Sequence, residues 1–520
     1  MKKTISIVIT IAIFLLSFLL RAKMILLGDF FFLSDQARDL ILVKDIVINH
    51  KLTLIGARAG LGGLFHGPLW IYMLALPFLL TNGNPLFIAT FFIIVSLAIV
   101  FLGYYLGLRL FGKSGGFLLA LFLAGSSTLY QTVPYTSNAQ MMPLILIFYL
   151  FFLLLFIRHK ERFFNFLSAA FFAGLGFQFE AAFSIFLLPF LFITAFVINN
   201  RKIFQFKRIL LTIFIFVTPL FSHILFDLRH NFLMTRSMIS LFSRPEGIKP
   251  IKGYERYSDL AFRVGDRFIS LLESFKTFLP TSSSNLHFLF LAIFIFSFLV
   301  FIKDFLKKRI DKEYLTILFF PLFIYTAYIF YPLPVWGHYT LSMPVIIAVL
   351  FLLAIKKIQP FLLGKILVSL FILLYLKAVF SIVYLQYFKS GAYQPTSDGS
   401  FINQLKVVDS IFADSKGEEF SYFVYNSQVF TYGMDYLMWY RGSKTYSFIP
   451  SSEKKKGLMY LVMYPNNNDK SAHDYWVKHV VKTEAPILNK KIYNGEIAVE
   501  KRLISTDEEP IDSNYYLDIR

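Results

Sequence analysis

Phe30-Phe31-Phe32-Leu33-Ser34-Asp35-Gln36-Ala37-Arg38-Asp39 follows the first long apolar segment and opens a polar, charge-rich loop that runs to Phe65-His66-Gly67-Pro68. A carboxylate at the mouth of a membrane helix, with a basic residue three positions on, is costly near lipid and is a functional candidate for that reason. Ser and Asp also accept the free N–H groups of a helix's first turn, so Ser34 or Asp35 equally reads as the cap of an amphipathic helix over 36–49. The sequence leaves both readings standing.

The chain around this stretch has 520 residues, 57% of them hydrophobic and 16% charged, with 64 Phe and a mean hydropathy of +0.62. That composition excludes an ordinary soluble protein and points to an all-α polytopic membrane protein. Lys2-Lys3 precede an apolar run without a small-residue cleavage pattern before Arg21, so the first segment reads as a retained anchor. The absence of cysteine excludes disulfides, zinc–thiolate sites and thiol nucleophiles. A net charge of +19 sits in short clusters between apolar segments, the distribution of the positive-inside rule and not that of a nucleic-acid-binding face.

Those clusters set a topology. Lys2-Lys3, Arg109 to Lys113, Arg158 to Arg162, Arg201 to Arg208, Lys303 to Lys312 and Lys356-Lys357 are expected to face the cytoplasm. Spans are expected at 4–20, 86–108, 112–130, 141–157, 163–179, 181–198, 209–226, 286–302, 314–331, 340–355 and 361–385, about eleven crossings in all. An odd crossing would put Arg109 outside, so Pro68–Leu80 is expected to be a re-entrant or surface-lying juxtamembrane helix within the first outer loop, 21–85. The protein is then a multi-pass plasma-membrane protein with a cytoplasmic N-terminus.

The inward loops are too short for even one βαβ unit of ~30 residues, and no Gly-rich phosphate motif follows a strand. From about Ala392 the composition turns soluble: helical 400–414, alternating Phe420–Tyr425, helical Val429–Arg441, strand-like Leu458–Tyr464 and helical Lys470–Val481. The expectation is a transmembrane domain over 1–390 and a small extracytoplasmic α/β domain over 391–520, with an acidic, frayed tail from 503.

This topology gathers Asp35, Asp39, His66, Glu180, Asp227, Arg229, His230 and His338 at one face. Each has a structural reading too: Glu180 as the polar tip of a hairpin, Asp227 to Asn231 as a helix end with a local ion pair, His338 as part of an interfacial aromatic belt. No HExxH or paired-histidine spacing occurs, so zinc is not expected.

Three stretches together carry a resemblance: Phe32 to Asp39, then His66-Gly67-Pro68-Leu69-Trp70-Ile71-Tyr72 to Pro77, then Arg109-Leu110-Phe111-Gly112-Lys113. The set is similar to the first third of the dolichyl-phosphate-mannose–protein mannosyltransferase and aminoarabinose transferase superfamily of C-type membrane glycosyltransferases, best over residues 1–230. Phe226-Asp227-Leu228-Arg229-His230-Asn231-Phe232 resembles a motif of its bacterial members. The resemblance implies that Asp35 is the catalytic base and that the helix from Pro68 supports its loop. This chain departs from the family in carrying Gln36 where a second acid often follows, and Thr136-Ser137-Asn138-Ala139-Gln140 where another acid is common. Both departures weaken a carboxylate-held divalent ion, which needs several hard oxygen ligands; no cofactor is expected.

The reading that follows is an inverting hexosyl- or pentosyltransferase that moves a sugar from a polyprenyl-phosphate donor to a lipid, glycan or protein acceptor at the outer face. Asp35 is the general base, and Arg229, with Arg58 or His230, is the cation for the leaving phosphate. Arg38, Arg58, His66, Glu180, Asp227, Arg229, His230 and His338 form the expected substrate-binding set. The alternative is a transporter or flippase of a lipid-linked substrate, which would more often show repeat symmetry and helices broken at the midplane.

Overall fold

The computed structural model describes residues 2–59, 62–243, 254–281, 283–389, 397–426, 430–466 and 471–504. Among them seven helices are long and apolar enough to cross a membrane: Thr4–Leu26, Pro85–Gly125, Asn138–Arg158, Phe206–Arg229, Ser284–Leu306, Gly337–Ile358 and Leu362–Lys389. Leu69–Leu80, Phe163–Gly176 and Ala181–Val197 are shorter apolar helices, and Lys312–Tyr328, 17 residues with Pro321 inside, completes the bundle. The segments expected at 163–179, 181–198 and 314–331 are therefore helices, but not full-length ones.

Pro85–Gly125 holds two of the expected spans. Straight, its 41 residues would reach about 60 Å, twice the hydrocarbon thickness. Gly112, at φ +77° and ψ −173°, breaks it. The two arms then fold back in close contact: a Cβ on Gly107 would stand 2.5 Å from the Gly115 carbonyl oxygen, and one on Gly116 3.0 Å from that of Tyr104. Small residues allow such backbone approach where lipid offers no hydrophobic drive. The first helix, Lys2–Leu26, continues past Arg21, which is buried. Its guanidinium donates to Ser96 Oγ (2.6 Å) and to the carbonyls of Leu123 (3.0 Å), Ala124 (2.8 Å) and Ser17 (3.2 Å), so one cation ties the first helix to both arms of the hairpin.

The C-terminal part is α/β, as its composition implies: helix Phe401–Ser415, β1 Phe420–Tyr425, helix Tyr432–Arg441, β2 Gly457–Met463, helix Ala472–Trp476, β3 Ile487–Ile492 and β4 Ala498–Ile504. The sheet order is β1-β2-β4-β3; β1 and β2 are parallel, with Phe420 opposite Leu458, and the other pairs antiparallel, with Met463 opposite Ala498. The sequence pattern misses β3 and β4 because charges interrupt them. In β4 both Glu500 and Arg502 are buried, and they pair with each other at 2.6 Å. Leu503 and Ile504 end this strand, so the tail does not start at 503; residues 505–520, and the 390/391 boundary, lie outside the described residues.

This α/β part sits on the opening stretch. Phe401 stacks on Phe30 (ring centroids 4.9 Å), and Phe32 meets Phe401 and Tyr436 edge-on (5.7 and 5.8 Å). The backbone follows: Phe401 N–H donates to Phe30 O, Phe32 N–H to Gly399 O, and Ile402 N–H to Gly28 O. Gln404 Nε2 donates to Phe32 O at 2.7 Å. The three phenylalanines thus hold the start of the polar loop between the bundle and the C-terminal sheet.

Candidate functional site

The polar loop begins with helix Ser34–Val47, whose N-cap is Leu33 with no side-chain cap bond. Neither Ser34 nor Asp35 caps it, which removes the capping alternative. Asp35 lies in the first turn, its side chain 64% exposed, with Oδ1 2.8 Å from Arg38 Nη1. Its second carboxylate oxygen meets no donor among the described residues.

Four residues on, the same helix turns Asp39 inward. Asp39 is buried and accepts from Trp70 Nε1 at 2.8 Å and from Arg38 Nη2 and Nε at 3.0 and 3.2 Å. Trp70 belongs to Leu69–Leu80, only 12 residues long and so about 18 Å, too short to cross. The short helix is thereby bolted to the loop helix through a buried carboxylate. Burial, outweighing the pull of Arg38, holds the Asp39 carboxyl above its ordinary range. Arg38 is shared by two acids.

His66 follows on the returning strand of the loop, where Gly56 N–H donates to its carbonyl and its own N–H donates to Ala57 O. The Asn138 amide nitrogen donates to Phe179 O and lies 3.2 Å from His66 Nδ1. With an N–H facing it, Nδ1 is the acceptor, which places the proton on Nε2. Burial, then the charge of Arg38, pushes the imidazole down to about 4, so the ring is neutral at pH 7. Asp35, His338 and His223 also act on it electrostatically, and Asp35 acts on His338. The structure therefore brings Asp35, Arg38, His66 and His338 together.

Glu180 stands beside them. It is buried, and its Oε1 accepts the Ala182 N–H at 3.2 Å as N-cap of Ala181–Ser184. Burial raises it to about 7. Tyr331 and Tyr339 feel its charge and are bonded to each other, and His338 packs edge-on against Tyr339 with centroids 4.6 Å apart. Buried Arg267 holds this wall, donating to the carbonyls of Tyr328 (3.3 Å), Tyr331 (3.4 Å) and Leu333 (2.6 Å).

The motif from Phe226 to Phe232 divides. Asp227 makes no ion pair with Arg229; it caps helix Leu233–Ser243 through the N–H groups of Met234 (2.7 Å) and Thr235 (3.2 Å) and the Thr235 hydroxyl (2.5 Å). That corrects the ion-pair expectation for Asp227, whose two oxygens face the first turn of the next helix. His230 is exposed, its Nδ1 held by Phe226 O at 2.8 Å and its ring stacked on Phe226. Arg229 is exposed, as is Arg58, and neither has a partner among the described residues. Phe65, bridged to Arg58, rests on Phe226 at 5.4 Å, which puts the two arginines on adjoining segments.

Residues that carried no signal also build the site. Gln178 Oε1 accepts Leu69 N–H at 3.3 Å while its Nε2 donates to Pro219 O at 2.6 Å; Gly67 must be glycine there, since a Cβ would stand 2.1 Å from Gln178 Oε1. His223 has a buried Nδ1 without a partner among the described residues. Among those residues no three His, Cys, Asp or Glu side chains gather as a metal centre would require.

A crystal structure of ArnT from Cupriavidus metallidurans bound to undecaprenyl phosphate matches the model with a TM-score of 0.57 at 9% identity, over 97% of this chain and 99% of that one. The chain shares its fold with that ArnT. The apo state of that ArnT matches at a TM-score of 0.55, with 10% identity and the same coverage. The Archaeoglobus fulgidus oligosaccharyltransferase in complex with Zn and sulfate matches at 0.51, with 14% identity over 82% of this chain and 61% of that one. Residues 65–226 match the model of the dolichyl-phosphate-mannose-protein mannosyltransferase family. No curated protein sequence matches the chain. The fold shared with ArnT and the family match agree with the resemblance carried by the three stretches, while the family match begins at Phe65 and does not include Asp35.

Proposed function

We propose that the chain is an inverting glycosyltransferase that takes a hexosyl or pentosyl unit from a polyprenyl-phosphate donor. The observation that carries this is Asp35: an exposed carboxylate, free of any capping duty, beside a neutral His66 and within the electrostatic reach of His338. Asp35 takes the proton of an acceptor hydroxyl as that oxygen bonds to the anomeric carbon, and the bond from that carbon to the phosphate oxygen breaks on the opposite face. The electron pair leaves on the polyprenyl phosphate. Arg229 and Arg58, exposed and unpaired, supply the charge the leaving group needs. Buried Glu180 and the Tyr331 and Tyr339 hydroxyls offer hydrogen-bonding groups for the sugar. The undecaprenyl phosphate in the similarly folded ArnT supports a polyprenyl carrier.

The same reading divides the chain into a transmembrane domain over 1–390 and an α/β domain over 391–520, and places the site, that domain and the C-terminus outside the plasma membrane. Reporter fusions at Lys308 and at the C-terminus should give opposite signals; matching signals would refute the placement. For the activity, membranes are incubated with a labelled polyprenyl-phosphate sugar. Label should pass to an acceptor in wild type, and movement of the intact donor across the bilayer without transfer would refute the proposal in favour of a transporter.

A further inference from the structure

The helices that leave the candidate site end at a second charged cluster. Met142–Arg158 and Met343–Ile358 start beside Asn138 and Tyr339, and Lys312–Tyr328 runs the other way to finish at the tyrosine wall. Helices of 16 to 17 residues put that cluster about 25 Å from the site. There they enclose a cavity of about 460 Å³, lined by Ile157, Ile310 and Leu353 and by charged residues of the Asp311–Glu313 turn and Lys356-Lys357.

Each acid of this cavity already has a cation partner. Glu313 is held by Arg158 in a two-point pair, Nε to Oε1 at 2.5 Å and Nη2 to Oε2 at 3.0 Å. Asp311 shares Lys357 with Asp304, at 3.3 Å each. Two lysines are left over. Lys312 Nζ makes one bond, to Ile198 O at 3.1 Å, and keeps its other N–H groups. Lys356 lies over the face of Phe111 at 5.8 Å and has no carboxylate partner among the described residues.

We propose that this cavity binds the phosphate of an anionic phospholipid, with Lys312 and Lys356 as its ligands. An ammonium with unspent donors beside matched carboxylates favours an oxyanion over a cation or a neutral group. The mainly charged lining, edged by Ile157, Ile310 and Leu353, and the position at the ends of three bundle helices fit the level of a lipid's phosphodiester, where basic pockets between helices take anionic headgroups. The site is independent of the transfer reaction, so its test does not use activity.

The purified full-length chain in neutral detergent is titrated with phosphatidylglycerol, phosphatidylcholine and glycerol 3-phosphate, and bound molecules are counted by native mass spectrometry. Wild type should hold phosphatidylglycerol in preference to phosphatidylcholine. K312Q/K356Q should weaken phosphatidylglycerol about 30-fold, the loss expected of two charges at a membrane-surface site, and K312R/K356R should restore most of it. K307Q/K308Q, in the same exposed loop, should change little. Unchanged affinity in K312Q/K356Q would overturn the proposal, as would an equal loss in K307Q/K308Q, which would mean diffuse surface attraction. Glycerol 3-phosphate bound with the same lysine dependence, and in place of phosphatidylglycerol, would keep the phosphate chemistry and overturn the lipid as its source.

Discussion

Asp35→Asn separates the catalytic role proposed for this carboxylate from its structural ones. The substitution removes a single ion pair to Arg38 in which Asp35 is 64% exposed, an i,i+3 contact worth at most ~0.5 kcal/mol. It removes no cap bond, because Leu33 is the N-cap. The fold should therefore lose less than ~1 kcal/mol, including the interaction of the first-turn acid with the helix dipole. A general base that becomes an amide loses its proton acceptor, and transfer should fall ~10²- to 10⁴-fold. Asp39→Asn should behave in the reverse order. Its carboxylate is buried under Trp70 and Arg38, and neutralising it leaves the half-buried guanidinium with only Asp35, a loss of ~1–3 kcal/mol. The assay is transfer of label from a polyprenyl-phosphate sugar at matched protein abundance, with thermal unfolding measured in the same detergent. Asp35→Asn transferring at close to the wild-type rate would refute the base assignment and leave buried Glu180 as the remaining acid of the site.

Three further outcomes follow from the geometry. Asp227→Asn should lose part of the cap, because its amide keeps one acceptor oxygen where both carboxylate oxygens accept N–H groups, and Asp227→Ala should lose ~1–2 kcal/mol by thermal or denaturant unfolding, with no rescue by added lipid phosphate. His66 is held at about 4 in the folded chain against ~6.5 when unfolded, so between those values the unfolded state binds more protons. Stability should be fully present above pH ~6.5 and fall as the pH drops toward 4, and His66→Gln should flatten that slope; an unchanged slope would refute the buried neutral ring. Transfer should persist in excess chelator, and loss that a divalent ion restores would show that carboxylates such as Glu180 complete a metal site.

The hydrophobic runs made the bundle legible, because a hydrocarbon core demands apolar length and little else. They were silent on the fold-back at Gly112, which depends on a positive φ and on glycines facing glycines, and on Arg21, whose donors are met by carbonyls of a helix a hundred residues away. In the soluble part, strands with alternating apolar residues could be read, but β4 could not, because Glu500 and Arg502 neutralise each other inside the sheet. For the candidate site, charge expected at one face marked Asp35, Arg38, His66 and His338, which the fold brings near one another. It could not rank the acids. Asp35 and Asp39 read alike in the sequence, yet one is exposed and the other buried, and the N–H groups that Asp227 accepts could not be read there, since both features depend on which way a helix face turns.

That ranking has a mechanical consequence. As the proposed base, Asp35 needs its exposed oxygen placed within hydrogen-bond reach of a hydroxyl, yet among the described residues it is anchored only by Arg38. Its position is therefore set through the buried neighbour: Asp39 fixes Arg38, Trp70 fixes Asp39, and Gln178 fixes the start of the helix that carries Trp70. On the other side Phe30 and Phe32 clamp the start of the loop against Phe401 and Tyr436 of the α/β part. A flexible base on a polar loop would lose most of the advantage of orientation, which is worth several kcal/mol of a barrier. The costly features of this end of the protein, an acid and a guanidinium buried against a tryptophan and a ring stack bridging residues nearly four hundred positions apart, all converge on the one helix turn that carries Asp35. In the proposed reaction the α/β part acts through Phe401 and Tyr436, by holding that turn still.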